Sequence, residues 1–92
     1  EEGVASNFYL HQNYPNPFNP TTTIRYAIPG SFFVNITVFD LAGRKVATLV
    51  NEKKSIGTHT VKFDASGLAS GVYYYRVSTR DFVQTKKLTL IK

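Results

Sequence analysis

Cysteine is absent from the 92 residues, so neither a disulfide nor a cysteine-held zinc ion can supplement the core. The same absence leaves the redox compartment open, since such a chain tolerates oxidising and reducing surroundings alike. No apolar run approaches the ~20 residues that span a bilayer, which speaks against direct membrane insertion. The opening Glu1-Glu2-Gly3 has no basic n-region and no h-region follows it, so an export signal is expected outside this sequence. Histidine is scarce: His11 and His59 lie in different segments. His59 alternates with Val61 and Phe63, which reads as an inward-facing, hydrogen-bonded histidine rather than a ligand. The six carboxylates, Glu1, Glu2, Asp40, Glu52, Asp64 and Asp81, sit mostly at termini or turns, where aspartate caps backbone donors. No pair is spaced for acid–base work. Ser66-Gly67 and Ser70-Gly71 are turn chemistry rather than a nucleophile elbow. No phosphate-cradling glycine loop or nucleic-acid signature is present. The expectation is a non-catalytic domain with no cofactor, no metal and no nucleic-acid partner.

What the chain does have is enough apolar material to fold. The hydrophobic fraction is 42% and aromatics reach 14%, which argues against disorder. The length is that of one domain. Net charge is +5, and ten of the eleven Lys and Arg lie at or after Arg44. A basic balance of this kind suits anionic lipid, acidic glycan or nucleic acid. It also suits lysines that keep exposed strands from pairing edge to edge, and that is the reading adopted.

Period-two alternation dominates. Thr23–Ile28 places Ile24, Tyr26 and Ile28 on one face, before a Pro29-Gly30 turn. Phe33–Phe39 places Val34, Ile36 and Val38 on one side and Phe33, Asn35, Thr37 and Phe39 on the other. Gly43 is positioned to take positive φ and close a hairpin onto Arg44–Val50, with Val46 facing inward. Asn51–Ile56 is polar and reads as an exposed loop. Thr58–Phe63, Val72–Ser78 and Phe82–Ile91 are further strands, and Phe8-Tyr9-Leu10 adds a short one. No amphipathic helix or internal repeat interrupts them. The pattern predicts an all-β antiparallel sandwich or barrel of about seven strands in one domain. Residues 1–7 are expected to be a linker or arm and residues 8–92 the sandwich. Leu68-Ala69-Ser70-Gly71-Val72-Tyr73 resembles a tyrosine corner, in which the hydroxyl bonds back to upstream backbone; a plain core role for Tyr73 also fits.

Three of the four prolines fall within Asn13-Tyr14-Pro15-Asn16-Pro17-Phe18-Asn19-Pro20. A flexible linker would be rich in glycine and serine and poor in aromatics. A PxxP spacing is present but short enough to arise by chance. Proline fixes φ and pushes the preceding asparagines toward extended backbone. The segment therefore reads as a stiff, irregular strap with Tyr14 and Phe18 pinned to the sandwich.

The run "NYPNPFNPTTTIRYAIP" resembles the start of the type A C-terminal sorting domain of type IX (Por) secretion. "VFDLAGRKVATLV" is similar to that family's central hairpin, "GTHTVKFDASGLASGVYYYRV" to its H-x-V-x-F and Leu-x-x-Gly-x-Tyr segment, and "QTKKLTLIK" to its lysine-bearing end. The likeness covers about Phe8 to Lys92 in order, and the immunoglobulin-like domain of flagellar hook-capping proteins shares part of the hairpin pattern. The resemblance implies an immunoglobulin-like β-sandwich that serves as a non-catalytic secretion signal of a Gram-negative bacterium, borne by a parent cargo domain N-terminal to it. The cargo would pass through the periplasm and across the outer membrane to the surface or the medium. Its partners would be translocon components and a sortase-like surface peptidase that removes the domain.

Two surfaces are candidates for recognition. The family's terminal motifs place the first at the last strand, where Lys86, Lys87 and Lys92 surround Leu88 and Leu90, beside Gly71 and Tyr73. A free strand edge there would be read through backbone pairing; the structural alternative is that the leucines are core and the lysines solvated. The second surface comprises Phe33, Phe39 and Tyr74, which alternation turns outward. These rings would stack on a glycan as a carbohydrate-binding module does, or cover a neighbouring domain.

Overall fold

A computed structural model describes residues 7–92. The expected linker at residues 1–7 lies, apart from Asn7, outside the described residues. Seven strands follow in order: β1 (Tyr9–Leu10), β2 (Thr21–Ile28), β3 (Phe32–Phe39), β4 (Lys45–Lys54), β5 (Gly57–Asp64), β6 (Gly71–Ser78) and β7 (Val83–Leu90). They form a three-stranded sheet, β1-β2-β5, and a four-stranded sheet, β4-β3-β6-β7, with antiparallel pairing throughout. This is the division of an immunoglobulin-like sandwich.

The strands form where alternation can bury one face. On β2, Thr22, Ile24, Tyr26 and Ile28 are buried; on β3, Val34, Ile36 and Val38 face them from the opposing sheet. Tyr73, Tyr75 and Val77 of β6 and Leu88 and Leu90 of β7 complete that layer. Each fully buried Ile, Leu or Val contributes roughly 1.5–3 kcal/mol. Phe8 seals one end of the sandwich, stacked on Phe82 at 4.8 Å and tilted on Phe32 at 4.9 Å. Phe18 packs toward Phe63 near the other end, at 6.0 Å.

The β3–β4 hairpin forms as its residues dictate. Gly43 has φ of 85°, and the Asp40 carboxylate accepts from the Ala42 and Arg44 amides at 2.9 Å each. Asn51–Lys54, expected to be a loop, continues β4: Asn51 pairs with Asn35, and Lys54 with Phe32. Backbone pairing to β3 holds this stretch, so it needs no apolar face. Val50 is the fully buried β4 residue, and Val46 packs at the core margin. The expected burial of Tyr14 is also overturned: its ring is 81% exposed while Phe18 is 2% exposed. Tyr14 exchanges backbone bonds with Thr23 at 3.0 Å in both directions, which directs its side chain over the outer face of the smaller sheet. His59 faces inward and is hydrogen-bonded as expected, though half-buried: its Nε2 meets the Ser55 carbonyl at 2.8 Å and its ring stacks on Tyr26.

Candidate functional site

Three segments distant in sequence meet at one corner: the proline-rich strap, the Ala65–Ser70 loop and the end of β7. The strap lies along β7 on the side away from β6. Phe18 forms a parallel bridge with Leu90, donating its amide to the Thr89 carbonyl at 3.0 Å and accepting from the Ile91 amide at 2.9 Å. The Asn16 side-chain oxygen takes the Thr89 amide at 3.0 Å, and the Gln12 side-chain amide donates to the Lys87 carbonyl at 2.7 Å. Proline suits this strap because an irregular segment beside an edge strand needs few donors of its own. The β7 edge expected to be free is thus occupied from Lys87 onward. Only its first half, about Val83 and Thr85, has no neighbouring strand among the described residues.

A buried polar cluster anchors the strap. The Tyr75 hydroxyl donates to the His11 carbonyl at 2.7 Å and accepts from the Asn13 amide at 2.8 Å. Burial, offset in part by the Asn13 bond, pushes this phenol up to about 12. The Asn13 side-chain amide donates to Thr22 Oγ1 at 3.0 Å and to the Pro15 carbonyl at 3.2 Å, and Thr22 Oγ1 donates to that same carbonyl at 2.8 Å. No buried side-chain nitrogen or oxygen among the described residues lacks a partner, which is the condition for such a network to favour one geometry.

The loop is the tyrosine corner. The Tyr73 hydroxyl donates to the Ala69 carbonyl at 2.6 Å. Gly71 enters β6 at φ of 151°, a conformation closed to most side chains. Lys92 docks on the same loop: its ammonium donates to the Ser66 and Leu68 carbonyls at 2.5 and 2.7 Å, and its amide to Ser70 Oγ at 3.0 Å. Asp64 caps the Ser66 amide at 3.0 Å, and that bond, with the Ser66 side chain and the Lys92 charge, holds its carboxyl below the usual range.

Of the sequence-predicted residues, Gly71, Tyr73, Leu88, Leu90 and Lys92 come together here. Leu88 and Leu90 are fully buried, so they shape the corner without being presented. Lys86 and Lys87 lie further up the strand, paired with Tyr75 and Tyr74. Sequence reasoning missed Gln12, Asn16 and Phe18 as edge partners and Ser66, Leu68 and Ser70 as the seat of Lys92. The Asn-Pro-Phe-Asn-Pro spacing was the available signal for the former. Phe33, Phe39 and Tyr74 all lie on the outer face of the larger sheet but do not form one platform. Phe39 is the direct partner of Tyr74, its ring covered by the Arg76 guanidinium at 4.6 Å, while Phe33 stands near the far end of β3. Among the described residues no cluster of His, Cys, Asp or Glu has metal-binding geometry.

The family model described as "Secretion system C-terminal sorting domain" matches residues 12–92. The chain belongs to this family of sorting signals. Such a domain directs the protein that bears it to the surface of a Gram-negative bacterium, or into the medium, through the type IX secretion system. Among solved structures, PorZ of Porphyromonas gingivalis, an essential bacterial surface component of that system, is similar at 26% identity and a TM-score of 0.63. The alignment covers 98% of this chain but only 12% of PorZ. CopC from Methylosinus trichosporium OB3b shares the fold, at 16% identity and a TM-score of 0.52, over 91% of each chain. No curated protein matches.

Proposed function

We propose that the type IX translocon reads this domain at the closed corner formed by the strap, the Ala65–Ser70 loop and the end of β7. In this reading residues 1–7 join a parent cargo to the sandwich of residues 8–92. The domain acts without catalysis, and a sortase-like surface peptidase removes it after export. The observation that supports the corner is convergence: three of the four motifs that carry the family resemblance, far apart in sequence, are hydrogen-bonded to one another there. A signal of this kind is a folded shape, not a linear tail.

Deleting residues 86–92 would remove Leu88 and Leu90 from the core and confound sorting with unfolding. The test therefore uses point variants of the domain fused behind a periplasmically exported fluorescent protein. Export is compared between a host with a working translocon and an isogenic translocon-deficient strain. The expected result is translocon-dependent fluorescence at the surface or in the medium. It should be lost in Lys92→Ala and Ser70→Ala, both at exposed residues, with thermal unfolding near that of the parent. Full export of both folded variants would refute the corner; periplasmic retention of the unaltered fusion would refute the sorting reading in that host.

A further inference from the structure

The outer face of the smaller sheet carries a groove of about 380 Å³ lined by His11, Gln12, Tyr14, Thr23, Arg25 and Thr60. Its volume lies within the range of small-molecule sites. Backbone pairing builds it in rows. Tyr14 stands beside Thr23, and His11, Arg25 and Thr60 form the next row along β2. Rows on one face of a strand are about 7 Å apart, a spacing on the scale of one sugar ring.

Three features of this groove are unspent by the fold. Tyr14 is 81% exposed, so an aromatic ring stands in water at the groove. Arg25 makes no ion pair among the described residues. The described carboxylates are engaged elsewhere: Asp40 with Arg44, Glu52 with Lys54, Asp81 with Arg80, and Asp64 with the Ser66 amide. Among the described residues, the remaining charges near the groove are positive. Burial, then Arg25 and Lys86, lowers the His11 imidazole below the ordinary histidine range. The field therefore attracts anions. A guanidinium grips a carboxylate in bidentate fashion, the Thr23 and Thr60 hydroxyls suit sugar hydroxyls, and an exposed ring suits the apolar face of a pyranose.

We propose that this groove binds a carboxylated sugar unit of an acidic polysaccharide, with Arg25 on the carboxylate and Tyr14 on the ring. The proposal goes beyond the sorting reading: Gln12 and Tyr14 belong to both the strap and the groove, but Arg25 and Thr60 lie on the smaller sheet, away from the corner. The test is titration of the 92-residue domain with trigalacturonate, followed by amide chemical shifts. Neutral galactotriose and hexaglutamate serve as comparisons. Shifts are expected at His11, Thr23, Arg25 and Thr60. Affinity for trigalacturonate should exceed that for either comparison by about tenfold or more. Tyr14→Ala and Arg25→Gln should each cost about tenfold without moving the unfolding midpoint, while Tyr74→Ala on the other sheet has no effect. Equal binding of hexaglutamate would overturn the proposal in favour of an acidic peptide or plain charge. Unchanged affinity in Tyr14→Ala, shifts confined to the larger sheet, or no response to trigalacturonate would each overturn it as well.

Discussion

Replacing Tyr75 by phenylalanine removes one oxygen and leaves two backbone groups without their partner. The Asn13 amide is buried, so its loss costs close to the full penalty for an unsatisfied donor, about 1–3 kcal/mol. The His11 carbonyl is only part-buried and recovers some of its loss from water, leaving about 1 kcal/mol. Together the substitution should destabilise the domain by about 2–4 kcal/mol, lowering the thermal midpoint by on the order of 10–25 °C. Urea unfolding followed by tyrosine fluorescence measures the difference. The phenol supplies a second readout. Its folded pKa is about 12, above the unfolded value near 10. The stability it contributes is therefore complete below about pH 10 and is lost as pH rises from there through the folded value. Tyr26, also raised chiefly by burial, adds to the same loss. In Tyr75→Phe the alkaline decline should be shallower, because Tyr26 and Lys54, whose ammonium is raised by its bond to Glu52, are left to drive it. A variant as stable as the parent, or an alkaline decline of unchanged steepness, would refute the assignment of Tyr75 as the strap's anchor.

Other substitutions separate ring from hydroxyl and backbone from side chain. Tyr73→Phe should cost about 1 kcal/mol and Tyr73→Ala about 3–5 kcal/mol, measured by chemical denaturation, since the first loses one bond to Ala69 and the second a core ring as well. Gly71→Ala should cost about 1–3 kcal/mol from backbone strain alone, because a Cβ there meets no atom within 4 Å; a repeat with serine should give a similar value. At acid pH the Asp40 carboxyl, held low first by its bond from the Arg44 amide, contributes stability that is present above about pH 4 and lost as pH falls through its folded value. Thermal scans between pH 2 and 6 should show a smaller acid-side decline in Asp40→Asn than in the parent.

The sandwich was legible wherever a strand has one wet face. Ile24, Tyr26 and Ile28, or Val34, Ile36 and Val38, announce both the strand and its inward side by alternation. Asn51–Lys54 escaped because this edge stretch of β4 runs past the core with water on both sides. Nothing in its side chains records the pairing with Phe32–Asn35. Tyr14 and Phe18 illustrate the same limit within one motif. Composition says that an aromatic prefers burial, but the Thr23 bridge and the Leu90 bridge decide which ring goes in. The site was legible in its parts and not in its assembly. Gly71, Tyr73 and the terminal lysine each carried a local signature, but the contact between Asn16 and Thr89 spans 73 positions, and no periodicity reaches that far.

The bridge from Phe18 to Leu90 also sets the order of events as the chain emerges. A ribosome or a membrane channel delivers the strap early and β7 last. Until β7 arrives, Phe18 lacks its bridge partner and the layer that β6 shares with β7 stays unfinished. Pairings between such distant segments form slowly, in milliseconds to seconds. For that interval the domain has an unpaired edge on β6 and an apolar layer open to water. It becomes a rigid body only after its final strand has come through.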